Sequence, residues 1–152
     1  MRLRLVWVGD HIAFAVPILD PLQPLAQAAV VSRRLTLATG VYLLPLHRPT
    51  PVAKQVATLD HLTRRAAHFR RRRRRRVPQR IRSCGVSIDE RVARLTESIA
   101  VLRKLWSGET ASHHGRFFSF EDVRMLPPPR QVDGPPIWCG GRSEPVLRRA
   151  GQ

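Results

Sequence analysis

Leu35-Thr36-Leu37-Ala38-Thr39-Gly40-Val41-Tyr42-Leu43-Leu44, followed after a short turn by Thr50-Pro51-Val52-Ala53-Lys54-Gln55-Val56-Ala57-Thr58-Leu59-Asp60-His61-Leu62, pairs two different periodicities. The first run is dense in β-branched and aliphatic residues and broken only at Thr39-Gly40, which predicts a strand. The second opens on Thr-Pro and repeats Val52, Val56, Leu59 and Leu62 on one face, which predicts a helix to about Leu62. The same order occurs upstream. Leu5 to Val8 is a short apolar run stopped by Gly9, as in a buried strand. Asp20-Pro21 then starts a helix to about Ser32, with Leu22, Leu25, Ala26, Ala29 and Val30 as its apolar face. Strand, helix, strand, helix implies parallel strands joined by crossover helices, an α/β fold.

Beyond Leu62 the pattern changes. From Thr63 to Arg82 there are eleven arginines and no acid, seven of them consecutive at Arg70 to Arg76. They dominate a net charge of +16. Without them the chain would carry about +5, an ordinary figure for its size. The segment has almost no apolar periodicity and divides two globular flanks.

Past Cys84 the globular pattern resumes. Ser87-Ile88-Asp89-Glu90 reads as a capping box. Val92, Leu95, Ile99, Leu102 and Leu105 form the stripe of a helix that ends near Ser107-Gly108. Phe117 to Phe120 suits a short β element. Ile137-Trp138-Cys139 follows Pro135-Pro136 as a short buried strand. Gly140-Gly141-Arg142-Ser143 comes directly after it, and Glu144 to Ala150 begins a helix. A strand, a Gly-Gly turn and a helix start aim backbone N–H groups and a helix dipole at one spot, which makes Gly140 to Ser143 a candidate phosphate cradle. Arg142 would add charge and Ser143 a hydroxyl donor.

In a parallel α/β fold the carboxyl ends of the strands carry the chemistry. Asp10-His11 stands at the end of the first strand. On the residues alone, His11 either handles protons, as an imidazole titrating near neutrality can, or merely caps a turn. Thr39-Gly40 marks either a close approach of a ligand ring to the backbone or a packing bulge. Trp7, Trp106 and Trp138 read as core, and Cys139 as a small buried hydrophobe. His113-His114 lacks partners at ligand spacing, so no metal site is expected. The chain has two cysteines, Cys84 and Cys139, and no CxxC pair. With no export signal or apolar span in the opening residues, a cytoplasmic protein with reduced thiols is expected.

The flanks resemble the luciferase-like monooxygenases, (β/α)8 TIM-barrel oxidoreductases that use FMN or the deazaflavin coenzyme. The resemblance rests on Val6 to His11, Leu37 to Val41, Pro49 to Leu62, Glu90 to Gly108, His114 to Phe118 and Pro135 to Ser143. It covers most of the chain outside the arginine segment and implies a partial barrel of one domain, 1–152, with an anomalous insert at about 63–83. It implies that His11 lies against the cofactor ring and exchanges a proton. It also implies that Asp10 orients the loop beside the cofactor, that Thr39 and Gly40 lie next to the ring, and that Gly140, Gly141, Arg142 and Ser143 hold the phosphate tail. The substrate would be a small organic molecule.

In the resembling family a glycine-valine strand follows the Leu59-Asp60-His61-Leu62 helix. Gly-Val repeats in GC-rich codons, read in a displaced frame, spell consecutive arginines. The arginine segment is therefore expected to be the trace of compensating frame changes. Two alternatives stand beside the enzyme: a basic protein that binds nucleic acid or an anionic surface through Arg70 to Arg76, and an inactive remnant. Half a barrel would leave strand edges and one face of each crossover helix unburied, which suggests a homo-oligomer.

Overall fold

The computed structural model describes residues 5–32, 34–63, 67–72 and 83–140; for 67–72 and 139–140 the description is of the backbone. Strand β1 (Leu5–Val8) leads through a long loop to helix α1 (Leu22–Val31). Strand β2 (Thr36–Tyr42), a 3-10 turn at Leu44–Leu46 and helix α2 (Pro49–Leu62) follow. Strand β3 spans Ala67–Arg72 and helix α3 Arg91–Trp106. Strands β4 (Thr110–His114) and β5 (Ser119–Arg124) form an antiparallel hairpin, and strand β6 is Ile137–Gly140.

The four remaining strands make one sheet in the order β1-β2-β3-β6, every neighbour parallel. This is the expected topology. Parallel neighbours need a crossover, and α1 and α2 supply the first two. At the start of α1, Asp20 Oδ1 accepts from the N–H of Leu22 at 3.1 Å, so Asp20 caps the helix as its residue type predicts.

One face of the sheet is covered. Leu37 on β2 belongs to one core with Leu25 and Ala29 of α1, Val52 and Val56 of α2, and Val101, Leu102 and Leu105 of α3. Removing apolar surface from water at these positions is what holds helices to sheet. The Trp106 ring closes the layer, and its Nε1–H donates to the carbonyl of Ala53 at 3.0 Å. Gly134, with φ +78°, lies directly against that ring, so neither the backbone nor the space admits a side chain there.

Several expectations need correction. Trp106 is core, but Trp7 is 64% and Trp138 41% exposed. Residues of a strand alternate between faces, and Trp7 and Trp138 lie on the face that carries none of the described helices, in register through Ala38, Gly40 and Arg70. Apolar type alone does not say which face has a cover. Val30 and Leu62, counted on the inner helix faces, are also exposed, because each sits in the last turn, beyond the packed neighbour. The capping box does not form. Ser87 Oγ accepts from the N–H of Asp89 instead, and α3 begins after Glu90, whose carboxylate pairs with Arg94 one turn on. The arginine segment is not wholly outside the fold either. Its backbone from Ala67 to Arg72 occupies a central strand, because a gap between β2 and β6 can be filled by any residue that donates and accepts main-chain hydrogen bonds. The β4–β5 hairpin extends well beyond the element expected at Phe117 to Phe120.

Candidate active site

Because all four strands run one way, their carboxyl ends, Val8, Tyr42, Arg72 and Gly140, share one edge. The turns leaving β1 and β2 are tied together there by Asp10. Its N–H donates to the carbonyl of Val41 at 2.9 Å. Its Oδ2 accepts from the N–H of Leu43 at 2.9 Å and is 2.8 Å from Nε2 of His47. The side chain is 3% exposed, so these partners replace the water that a carboxylate would otherwise keep.

His11 follows at the end of β1. Its ring stacks on Phe14, centroids 4.5 Å apart, and lies close to the Cα of Gly9. Thr39 is 1% exposed and shares the helix-covered face with Leu37. Gly40 faces the other way, and the Trp7 ring lies over it: a Cβ there would come within 2.6 Å of that ring. The sheet register shifts between Gly40 and Tyr42, and the Gly40–Val41 peptide is cis. The fold thus brings Asp10, His11, Thr39 and Gly40 to neighbouring ends of β1 and β2. Gly140 ends β6, in register with Arg72 of β3. Gly141, Arg142 and Ser143 lie outside the described residues.

Two members of this edge carry no signal in the sequence. Tyr42 is 2% exposed and stacks on His47 with centroids 4.6 Å apart. Burial first, then the carboxylates of Asp10 and Asp20, push its phenol well above the ordinary tyrosine range, so it stays neutral. His47 sits in an unremarkable Leu46-His47-Arg48 turn. Only the pairing across 37 residues with Asp10 reveals it. Among the described residues no group of His, Cys, Asp and Glu could hold a metal ion. No helix among them is long and apolar enough to cross a membrane.

Trp7 and Trp138 offer exposed aromatic surface on the helix-free face, and His11 stands at its carboxyl margin. Gly40 offers less than its residue type suggests, because Trp7 already covers it.

The chain belongs to the luciferase-like monooxygenases, whose family model matches residues 3–152. It is 32% identical to 4-hydroxyprotoasukamycin monooxygenase of Streptomyces nodosus subsp. asukaensis, over 97% of this chain and 40% of that protein. It is 29% identical to the oxygenase component of the flavin-dependent trigonelline monooxygenase of Acinetobacter baylyi, over 90% of this chain and 38% of that one. The monooxygenase RslO1 of Streptomyces bottropensis superposes with a TM-score of 0.79 at 31% identity, over 88% of this chain and 41% of its own. At lower identity the fold is shared with two further proteins. One is the oxygenating constituent of 3,6-diketocamphane monooxygenase of Pseudomonas putida, solved with FMN, at TM-score 0.80 and 20% identity, over 97% of this chain and 44% of its own. The other is the coenzyme F420 dependent tetrahydromethanopterin reductase of Methanopyrus kandleri, at 0.75 and 17%, over 97% of this chain and 45% of its own. The chain spans about 40% of the length of the curated relatives it matches, and its fold is accordingly a partial barrel.

Proposed function

We propose that this chain carries the strand-end site of a luciferase-like oxidoreductase that takes FMN or a deazaflavin and acts on a small organic substrate in the cytoplasm. The observation that carries the reading is the imidazole of His11, stacked on Phe14 and near Gly9 at the carboxyl end of β1 in a chain of this family. When bound, the cofactor would supply hydride or oxygen transfer. His11 would hold or release a proton at the ring margin. Asp10 keeps the His11 loop against the β2 turn. Trp7 and Trp138 would exclude water from the flat face of the ring, and Gly140 to Ser143 would receive the phosphate.

The test is direct. The purified chain, titrated with FMN and separately with a deazaflavin, should perturb the absorbance of one ring, and His11→Ala should weaken that response. No response with either ring overturns the reading.

A second reading has one observation in its favour. Strand β3 brings the backbone of Arg70 to Arg72, the start of the arginine run, to the same edge. Consecutive arginines attract polyphosphates in a salt-dependent way. Retention on an oligonucleotide that falls steeply with salt, without uptake of either ring, would select this reading. The uncovered sheet face with Leu5, Trp7 and Trp138 suits a homo-oligomer, and sedimentation would report it. A chain that takes up neither ring nor oligonucleotide is an inactive remnant.

A further inference from the structure

His47 is held in an unusual way for a residue on an exit turn. Its Nε2 meets a carboxylate oxygen of Asp10 that is otherwise satisfied by a backbone N–H. A carboxylate accepts, so the proton between them belongs on Nε2, and a neutral imidazole protonated there keeps its lone pair on Nδ1. The stack on Tyr42 fixes the plane of the ring. Among the described residues no other hydrogen bond reaches that ring. The side chain is still 22% exposed, whereas Asp10 behind it is 3%. An oriented imidazole with a buried carboxylate on one nitrogen and a second nitrogen left for another partner is the arrangement by which an acid fixes the tautomer of a base.

We infer that His47 is a second proton-accepting residue of the strand-end site, positioned by Asp10 to take the hydroxyl proton of a phenolic or enolic substrate. In the step, the substrate O–H bond breaks and an Nδ1–H bond forms. The electron pair stays on the substrate oxygen and the ring becomes imidazolium, facing the Asp10 carboxylate. No oxidant is consumed, and Nδ1 later returns its proton to solvent. The groups facing His47 are the Asp10 carboxylate and the Tyr42 phenol, with Asp20 acting on Tyr42 from beyond. Tyr42 cannot take the role itself, since burial and the two carboxylates keep its proton in place. Apolar side chains of the loop after β1, Ile12 and Phe14, are exposed beside this edge and suit the carbon skeleton of such a substrate. The inference rests on reading this edge as the reaction site.

The experiment is nitrogen NMR of the full chain with labelled histidine, without cofactor, followed by titration with p-cresol. The expected result is a proton on Nε2 of His47, a bare Nδ1, and a shift of Nδ1 on adding p-cresol. Asp10→Asn should lose the tautomer preference while His11 keeps its own signal. His47→Gln should abolish the p-cresol response, and His47→Phe serves as the second variant where the first does not fold. With a ring bound, His47→Gln should also slow a phenolic substrate by about 10²–10⁴-fold. A proton on Nδ1 in the unmodified chain, or a p-cresol response that ignores His47, overturns the inference. Absence of ring binding would overturn the proposed function and leave the tautomer result standing, so the two failures are distinguishable.

Discussion

Asp10 and Asp60 are both buried aspartates, 3% and 2% exposed, and they do different work. Asp60, on α2, accepts from the backbone N–H groups of Arg130 and Gln131 and from the Gln131 side chain. Its partners are amides that do not titrate, and together they pin the segment before β6 to the helix layer. Asp10 accepts from one backbone N–H and one imidazole that stays partly open to solvent. The first carboxylate closes a structure. The second closes a structure and also orients a titratable nitrogen. Glu97 stands between the two: it receives the N–H groups of Phe117 and Phe118 at 2.8 to 3.1 Å, fastening the hairpin to α3, and it also meets an imidazole, His113, but at 3.4 Å and on a side chain only 11% exposed against 22% for His47. A buried acid is thus evidence of function only when one of its partners can still react.

The contrast can be broken by substitution. Asp60→Ala takes the shared acceptor away from two backbone donors and the Gln131 amide and should cost about 3–5 kcal/mol, enough to threaten folding. Urea denaturation measures it, and a loss below about 1 kcal/mol would deny Asp60 its structural role. Asp10→Ala should cost less, about 2–3 kcal/mol, because one of its partners can turn to water. It should also abolish the p-cresol response of His47, whereas any folded Asp60 variant should leave that response intact. An equal effect of both would erase the distinction.

Glu97→Gln should cost about 1 kcal/mol near neutral pH, since the amide oxygen still accepts. Burial alone would raise the carboxyl pKa, but the N–H groups of Phe117 and Phe118, with His113, outweigh it and hold Glu97 below the ordinary range. A carboxyl with a lowered folded pKa contributes stability above its unfolded pKa of about 4.3 and loses it as pH falls through the folded value. The difference in Tm between the parent and Glu97→Gln should therefore be full above about pH 5 and vanish in stronger acid. A difference that grows on acidification contradicts the assignment. Smallest of all, Trp7→Ser should change stability by no more than about 0.5 kcal/mol, because its ring is mostly in water. A large loss would mean that the helix-free face is covered in solution.

The order of strands and helices, the parallel sheet and the stripe of α3 were legible because each is a local periodicity, and a period of two or of 3.6 is written in consecutive residues. The position of His11 was legible for the same reason: it follows an apolar run and so ends a strand. Tertiary structure alone decided which sheet face is covered, since Trp7 and Trp106 are equally apolar and only one has helices against it. It also put Arg70 to Arg72 in a central strand, where main-chain pairing outweighs a side-chain pattern that favours none. And it joined Asp10 to His47, because a hydrogen bond across 37 residues depends on two strand ends meeting in space, which no local pattern encodes.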